Sequence, residues 1–193
     1  MGLGICVSVN VSARELQQTD FSERLLTLIA SYPDLRAESL ELEILETSAL
    51  DDIASVSTLI RSCHEGGVRF AIDDFGTGYS SLTYLRRLPV DVLKIDRSFV
   101  RDMLDDPDDL AIVRGVIGLA RAFRRAVIAE GVESESHGLK LLELGCELAQ
   151  GFVIAKPMPA ADVQAWMNSW HPFPSWMATL VQPETADAEA SHG

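Results

Sequence analysis

The chain of 193 residues carries 16 Lys plus Arg against 29 Asp plus Glu, a net charge of -13, and is 47% hydrophobic. That length supports one sizeable core, and the acidic balance argues against a broad nucleic-acid face or contact with an anionic membrane, while a small anionic nucleotide stays bindable where metals invert the local field. Cys6, Cys63 and Cys146 lack Cys-x-x-Cys spacing, His64, His137, His171 and His192 are dispersed, and neither an apolar span of about 18 residues nor a leader is visible, so a reducing, cytoplasmic setting without a zinc site is expected.

Residues 4–12, GICVSVNVS, alternate and are rich in β-branched side chains, which predicts a strand. A helix is expected over residues 15–32, with Leu25, Leu26, Leu28 and Ile29 on its apolar face and Pro33 ending it. Residues 39–46, SLELEILE, predict the next strand, with Leu40, Leu42 and Ile44 on one side and Glu41 and Glu43 on the other. Asp51 and Asp52 open a predicted helix that stops at Gly66 and Gly67. RFAIDDF, residues 69–75, is the third strand, followed by a glycine loop and a short helix over residues 80–87. VDVLKID, residues 90–96, is the fourth, and Pro107 marks the first turn of a long amphipathic helix. AVIAEGV, residues 126–132, predicts a fifth strand and LAQGFVIA, residues 148–155, a sixth, separated by a helix over residues 139–144 that Gly145 caps. A final helix over residues 160–170 completes one domain, residues 1–170, and the polar stretch 171–193 is expected to be a disordered tail.

Alternating strands and helices predict an α/β fold with a parallel sheet. Asn10, Glu43, Asp73, Lys94, Glu130 and Gln150 each fall near the C-terminal end of a different predicted strand, at successive spacings of 33, 30, 21, 36 and 20 residues. One polar group per strand, all at one rim, is the pattern of a TIM-like (β/α) barrel, whereas an open doubly wound sheet gathers such groups at a switch point. Alone, Asp73 and Asp74 before Gly76 and Gly78 read equally well as a polar strand end entering a turn. With the other rim residues they predict a metal centre: oxygen donors without Cys or His suit Mg²⁺ or Mn²⁺, and several carboxylates suit two ions that clamp a phosphodiester and generate hydroxide. Lys94, on the strand face of Asp96, would hold the attacking water or neutralise charge on phosphorus. A second chemistry stays open, an aldolase-type Schiff base on Lys94, although neighbouring acids oppose the neutral amine it requires.

The motifs VNVSA (9–13), LEILE (42–46), DDFGTGYSSL (73–82), LKID (93–96), AEGVE (129–133) and QGF (150–152), in unbroken order, resemble the EAL domain, a family of phosphodiesterases that linearise cyclic di-GMP. The resemblance implies two Mg²⁺ or Mn²⁺ ions, inhibition by Ca²⁺, and conversion of cyclic di-GMP to linear pGpG. It implies Asn10, Glu43, Asp73, Asp74 and Glu130 as metal ligands, Lys94 and Glu130 in catalysis, Gln150 supporting water or substrate, and Asp96 with Gln150 on the substrate side. Glu46 and Glu133 would anchor the loop that begins with Gly76 and Gly78, and that loop, residues 76–81, would join metal coordination and homodimer contact. Leu45 stands where the family usually has Thr, and the Glu-x-Leu-x-Arg segment is missing from this sequence together with the first two strands. The expectation is an incomplete barrel with six of eight strands, N-terminally truncated and weakly active or inactive alone. A non-catalytic cyclic di-GMP receptor or protein-interaction module is the alternative.

Overall fold

The computed structural model describes residues 4–78 and 82–180. In chain order the elements are β1 (Val7–Val11), α1 (Ala13–Leu16), α2 (Phe21–Ala30), β2 (Leu40–Leu45), α3 (Glu46–Asp51), α4 (Ile53–Glu65), β3 (Arg69–Phe75), α5 (Leu82–Arg87), β4 (Val92–Ile95), α6 (Arg97–Asp102), α7 (Pro107–Ala122), β5 (Ala126–Ala129), α8 (Glu135–Glu143), β6 (Leu148–Ala149), α9 (Ala160–Ser169) and α10 (Pro174–Leu180). The six strands form one parallel sheet in the order β1-β2-β3-β4-β5-β6. Strands adjacent in sequence are adjacent in space, so the strand order never reverses as it would in a doubly wound sheet, and the architecture is that of a TIM-like barrel. The described sheet is not closed, because β1 and β6 have no mutual pairing.

Leu42, Ile44, Phe70, Ile72, Leu93 and Ile95 form the buried outer side of the central strands, and Val56, Ile60 and Cys63 of α4 and Val113, Ile117 and Ala120 of α7 belong to the same core. Burial at about 25 cal/mol per Å² of apolar surface makes this layer the main source of stability. Helix starts follow local chemistry: Asp52 accepts the Ser55 N–H at 3.0 Å to cap α4, and Asp106 accepts the Asp108 N–H at 2.8 Å with Pro107 opening α7.

Several sequence expectations change. The helix expected over 15–32 is two helices, since Ser12 caps a separate first turn, and Glu46 starts an unexpected α3 directly after β2, ahead of α4, which is the helix expected over 51–64. The unexpected α6 is nucleated by Asp96, whose carboxylate accepts the Ser98 N–H at 2.8 Å. The sixth strand is only two residues long: Gly151 lies so close to the Val132 backbone that no side chain fits, and the Ile154 and Ala155 amides turn back to the Gly151 carbonyl at 3.0 Å each. Part of the stretch expected as a tail is helical, because α10 spans Pro174–Leu180 and buries Trp176; residues 181–193 lie outside the described residues.

Candidate metal centre at the strand ends

Successive residues of a regular strand point to opposite faces, so Asp73 and Asp74 should not meet. Between Ile72 and Phe75 the pairing of β3 with β4 slips, and Asp74 takes φ 53°, in the left-handed region that Asp tolerates better than most residues. This bulge brings the two acids together: Asp73, Asp74 and Glu130 offer carboxylate oxygens that all lie within 4.8 Å of one another.

Lys94 is 3% exposed and ties three strands together, with Nζ at 2.7 Å from Glu43 Oε1, 3.0 Å from Asp73 Oδ1 and 2.6 Å from Glu130 Oε1. Beyond the Lys94 ion pair, that buried Asp73 oxygen has no hydrogen-bond partner among the described residues. Burial pulls Lys94 toward the neutral amine, but hydrogen bonds to Glu130 and Glu43 and the surrounding negative charge win and raise its pKa. A Schiff base needs the opposite shift, so the site disfavours the aldolase reading. Burial raises the Glu130 pKa against the pull of Lys94. Asp74 is pushed up to about 6, first by burial, then by its hydrogen bond with Asp96 and the charges of Asp73, Asp96 and Glu130. Asp96 moves down: burial opposes this, and the Ser98 hydroxyl, the Ser98 N–H and Asp74 outweigh it.

The loop after β3 is held from below by Glu46, which is 1% exposed and whose Oε2 accepts the Gly76 N–H at 2.9 Å. At Gly78 a Cβ would sit 3.1 Å from Glu46 Oε1, and Gly76 has φ 104° with the Phe99 ring pressed against it, so both glycines let the backbone approach its anchor. Residues 79–81 of this loop lie outside the described residues. Glu133 is exposed and, among the described residues, makes no hydrogen bond to the loop. Asn10 pairs in register with Glu43, which puts it on the face of the cluster, yet it is exposed. Gln150 is also exposed and is fixed through its backbone, its N–H bonding Ala129 O at 2.8 Å and its carbonyl accepting Val132 N–H at 3.0 Å. Asp96 caps α6 and touches Asp74, a placement the sequence did not signal. A groove of about 530 Å³ between the α1–α2 segment and α4 shares no residue with this cluster and is lined mainly by neutral side chains. The acids and Lys94 make the strand-end rim the chemical site instead.

The sequence profile of the EAL domain matches residues 2–157. The chain belongs to the EAL domain family. It is 37% identical over 162 residues to the cyclic di-GMP phosphodiesterase PA2567 of Pseudomonas aeruginosa, covering 84% of this chain and 27% of that relative. Among solved structures, the PaMucR phosphodiesterase in complex with c-di-GMP superposes with TM-score 0.77 and 39% identity, covering 82% of this chain and 64% of that one. The manganese and cyclic di-GMP complex of Klebsiella pneumoniae BlrP1 superposes with TM-score 0.72 and 29% identity, covering 79% of this chain and 39% of that one. This EAL chain spans about a quarter of the length of the curated relatives it matches.

The rim of this EAL domain fits a hard divalent cation. Three carboxylates converge, and no Cys or His belongs to the cluster. Among the described residues no helix is long and apolar enough to cross a membrane.

Proposed function

We propose that this EAL domain serves a metal-dependent phosphodiesterase that hydrolyses cyclic di-GMP to linear pGpG. The observation that carries the proposal is the convergence of Glu43, Asp73 and Glu130 from three strands on one buried lysine, with Asp74 turned in beside them. Asp73, Asp74 and Glu130 would hold one of two Mg²⁺ or Mn²⁺ ions, and Glu43 with Asn10 would reach the other. Bound ions of this type neutralise a phosphodiester and activate water near neutral pH, and Ca²⁺ would compete for the site without supporting turnover. The chain itself supplies position and charge. An acidic rim repels the dianionic nucleotide unless its carboxylates are neutralised, so substrate binding depends on the cation. Lys94, kept charged and immobile by three acids, orients the attacking water and offsets negative charge that grows on phosphorus. Water adds to phosphorus as the 3′ oxygen leaves, opening one of the two diester linkages and leaving a 5′-phosphate. Glu46 keeps the Gly76 turn in place beside Asp74, and Gln150 and Asp96 border the space for the nucleotide. Glu133 and residues 76–81 would serve loop anchoring and a homodimer contact, and the domain would work in the cytoplasm.

The test is incubation of the purified chain with cyclic di-GMP and Mn²⁺, with nucleotides separated chromatographically. The expected product is pGpG, lost with chelator and with Asp73→Asn. A second reading, a cyclic di-GMP receptor without turnover, is favoured by the open wall between β1 and β6, where Asn10 and Gln150 are exposed. Calorimetric binding of cyclic di-GMP without product would select it. Neither binding nor product would refute both.

A further inference from the structure

The first turn of α8 is a junction that the chemistry above does not use. Three residues separate Glu130 from Ser134, the residue that caps α8 by accepting the His137 N–H at 3.2 Å. That link is tight: the Glu130 N–H bonds Ile95 O at 3.2 Å, the Val132 N–H bonds Gln150 O at 3.0 Å, and Val132 is fully buried. On one side His137 bridges Ser134 Oγ at 3.0 Å and Arg101 O at 3.1 Å, which joins α8 to α6, the helix capped by Asp74's partner Asp96. On the other side lies α10. Trp176 Nε1 donates to Glu135 O at 2.8 Å, and Ser175 Oγ donates to Glu135 Oε1 at 2.6 Å. The indole packs where Gly138 has no side chain, in space that a Cβ would occupy, and Phe173 meets it edge-on with ring centroids 4.8 Å apart. Trp176 is 7% exposed yet stands apart from the main core cluster, so its buried area goes into fastening α10 to α8.

We propose that α10 is a strap that positions Glu130, with Trp176 as its positioning residue acting through the first turn of α8; this rests on Glu130 being a metal ligand. A ligand set binds tightly when supporting residues fix each carboxylate, and losing such support typically weakens metal binding about 10- to 100-fold. Lys94 holds the Glu130 carboxylate directly, whereas the strap acts on the backbone from which that carboxylate projects.

The experiment uses the full chain with three variants: Trp176→Ala, Trp176→Phe, which keeps the ring and loses its N–H, and Gly138→Ala, which expels the ring while improving the helix propensity of α8. Two readouts are taken, hydrogen exchange at the Val132 and Glu130 amides without metal, and Mn²⁺ affinity by calorimetry. The expected result for Trp176→Ala and Gly138→Ala is exchange at least about tenfold faster at Val132, unchanged exchange in β3, and Mn²⁺ binding about tenfold weaker, with Trp176→Phe intermediate. Wild-type exchange at Val132 in folded Gly138→Ala or Trp176→Phe overturns the strap, and so does unchanged Mn²⁺ affinity in either. If Trp176→Ala does not fold, those two variants decide. Should the wild-type chain bind no Mn²⁺, the metal-ligand reading fails, and the exchange readout alone still tells whether α10 holds this loop.

Discussion

The middle and the edges of the sheet are built from similar sequence but live in different environments. β2 to β5 each have a neighbour on both sides, and they deliver Glu43, Asp73, Lys94 and, just past the end of β5, Glu130 to one point. β1 and β6 have one neighbour each: Val7 is 51% exposed, Val9 44% and Leu148 51%, and the polar residues there, Asn10 and Gln150, are exposed as well. A strand end aims a side chain only when packing on both flanks removes its freedom. Position in the sheet, and not residue type, therefore separates the rim groups that are fixed from those that are merely nearby.

Lys94→Met breaks the middle most severely. It removes the cation from among three acids while keeping volume, and stranding buried charge costs about 3–5 kcal/mol, read as a drop in urea unfolding free energy. A loss below about 1 kcal/mol would mean the acids relax by taking up protons. Glu46→Ala comes next, since an unpaired Gly76 N–H costs about 1–3 kcal/mol; the same unfolding measurement, together with faster exchange at Gly76, checks it. Asp74 gives a smaller, pH-dependent signal. Its folded pKa of about 6 lies above the ordinary carboxylate value of 3.8, so its contribution to stability is fully present below that ordinary value and is lost as pH rises through about 6. Asp74→Asn should flatten that slope in metal-free unfolding curves, while wild-type Mn²⁺ affinity should rise through the same window because binding needs the carboxylate. An unchanged slope would place Asp74 in a more solvated setting. Val9→Thr at the exposed edge should change stability by no more than about 0.5 kcal/mol. A larger loss would show that β1 is covered in solution.

The architecture was legible because each strand and helix carries its own period, and because acids, amides and a lysine recur at strand ends where a core residue would otherwise stand. The meeting of Asp73 and Asp74 was not legible. Period-two alternation separates neighbours, and no local rule announces the slip between β3 and β4 that reunites them. Residues 151–155 are apolar enough for a strand, yet Gly151 must fit against Val132, which is a tertiary fact. α10 was hidden among prolines; its order comes from a single tryptophan finding a gap above Gly138, a contact between residues 38 positions apart. Glu133 was named through a family motif and Gln150 through its place at a predicted strand end, and the described structure leaves both side chains exposed.

The backbone at Asp74 also limits which residues that position can accept. A φ of 53° admits Gly freely, Asn and Asp at modest cost, and β-branched or bulky residues only with strain. A hard cation at that spot asks instead for an ionised oxygen, which Gly lacks and Asn supplies only as a neutral amide. The two filters overlap at aspartate alone. Glutamate, the usual conservative exchange, keeps the charge but loses the short side chain that suits the turn, so a saturation library at position 74 should separate into variants that fold without binding metal and variants that fold poorly.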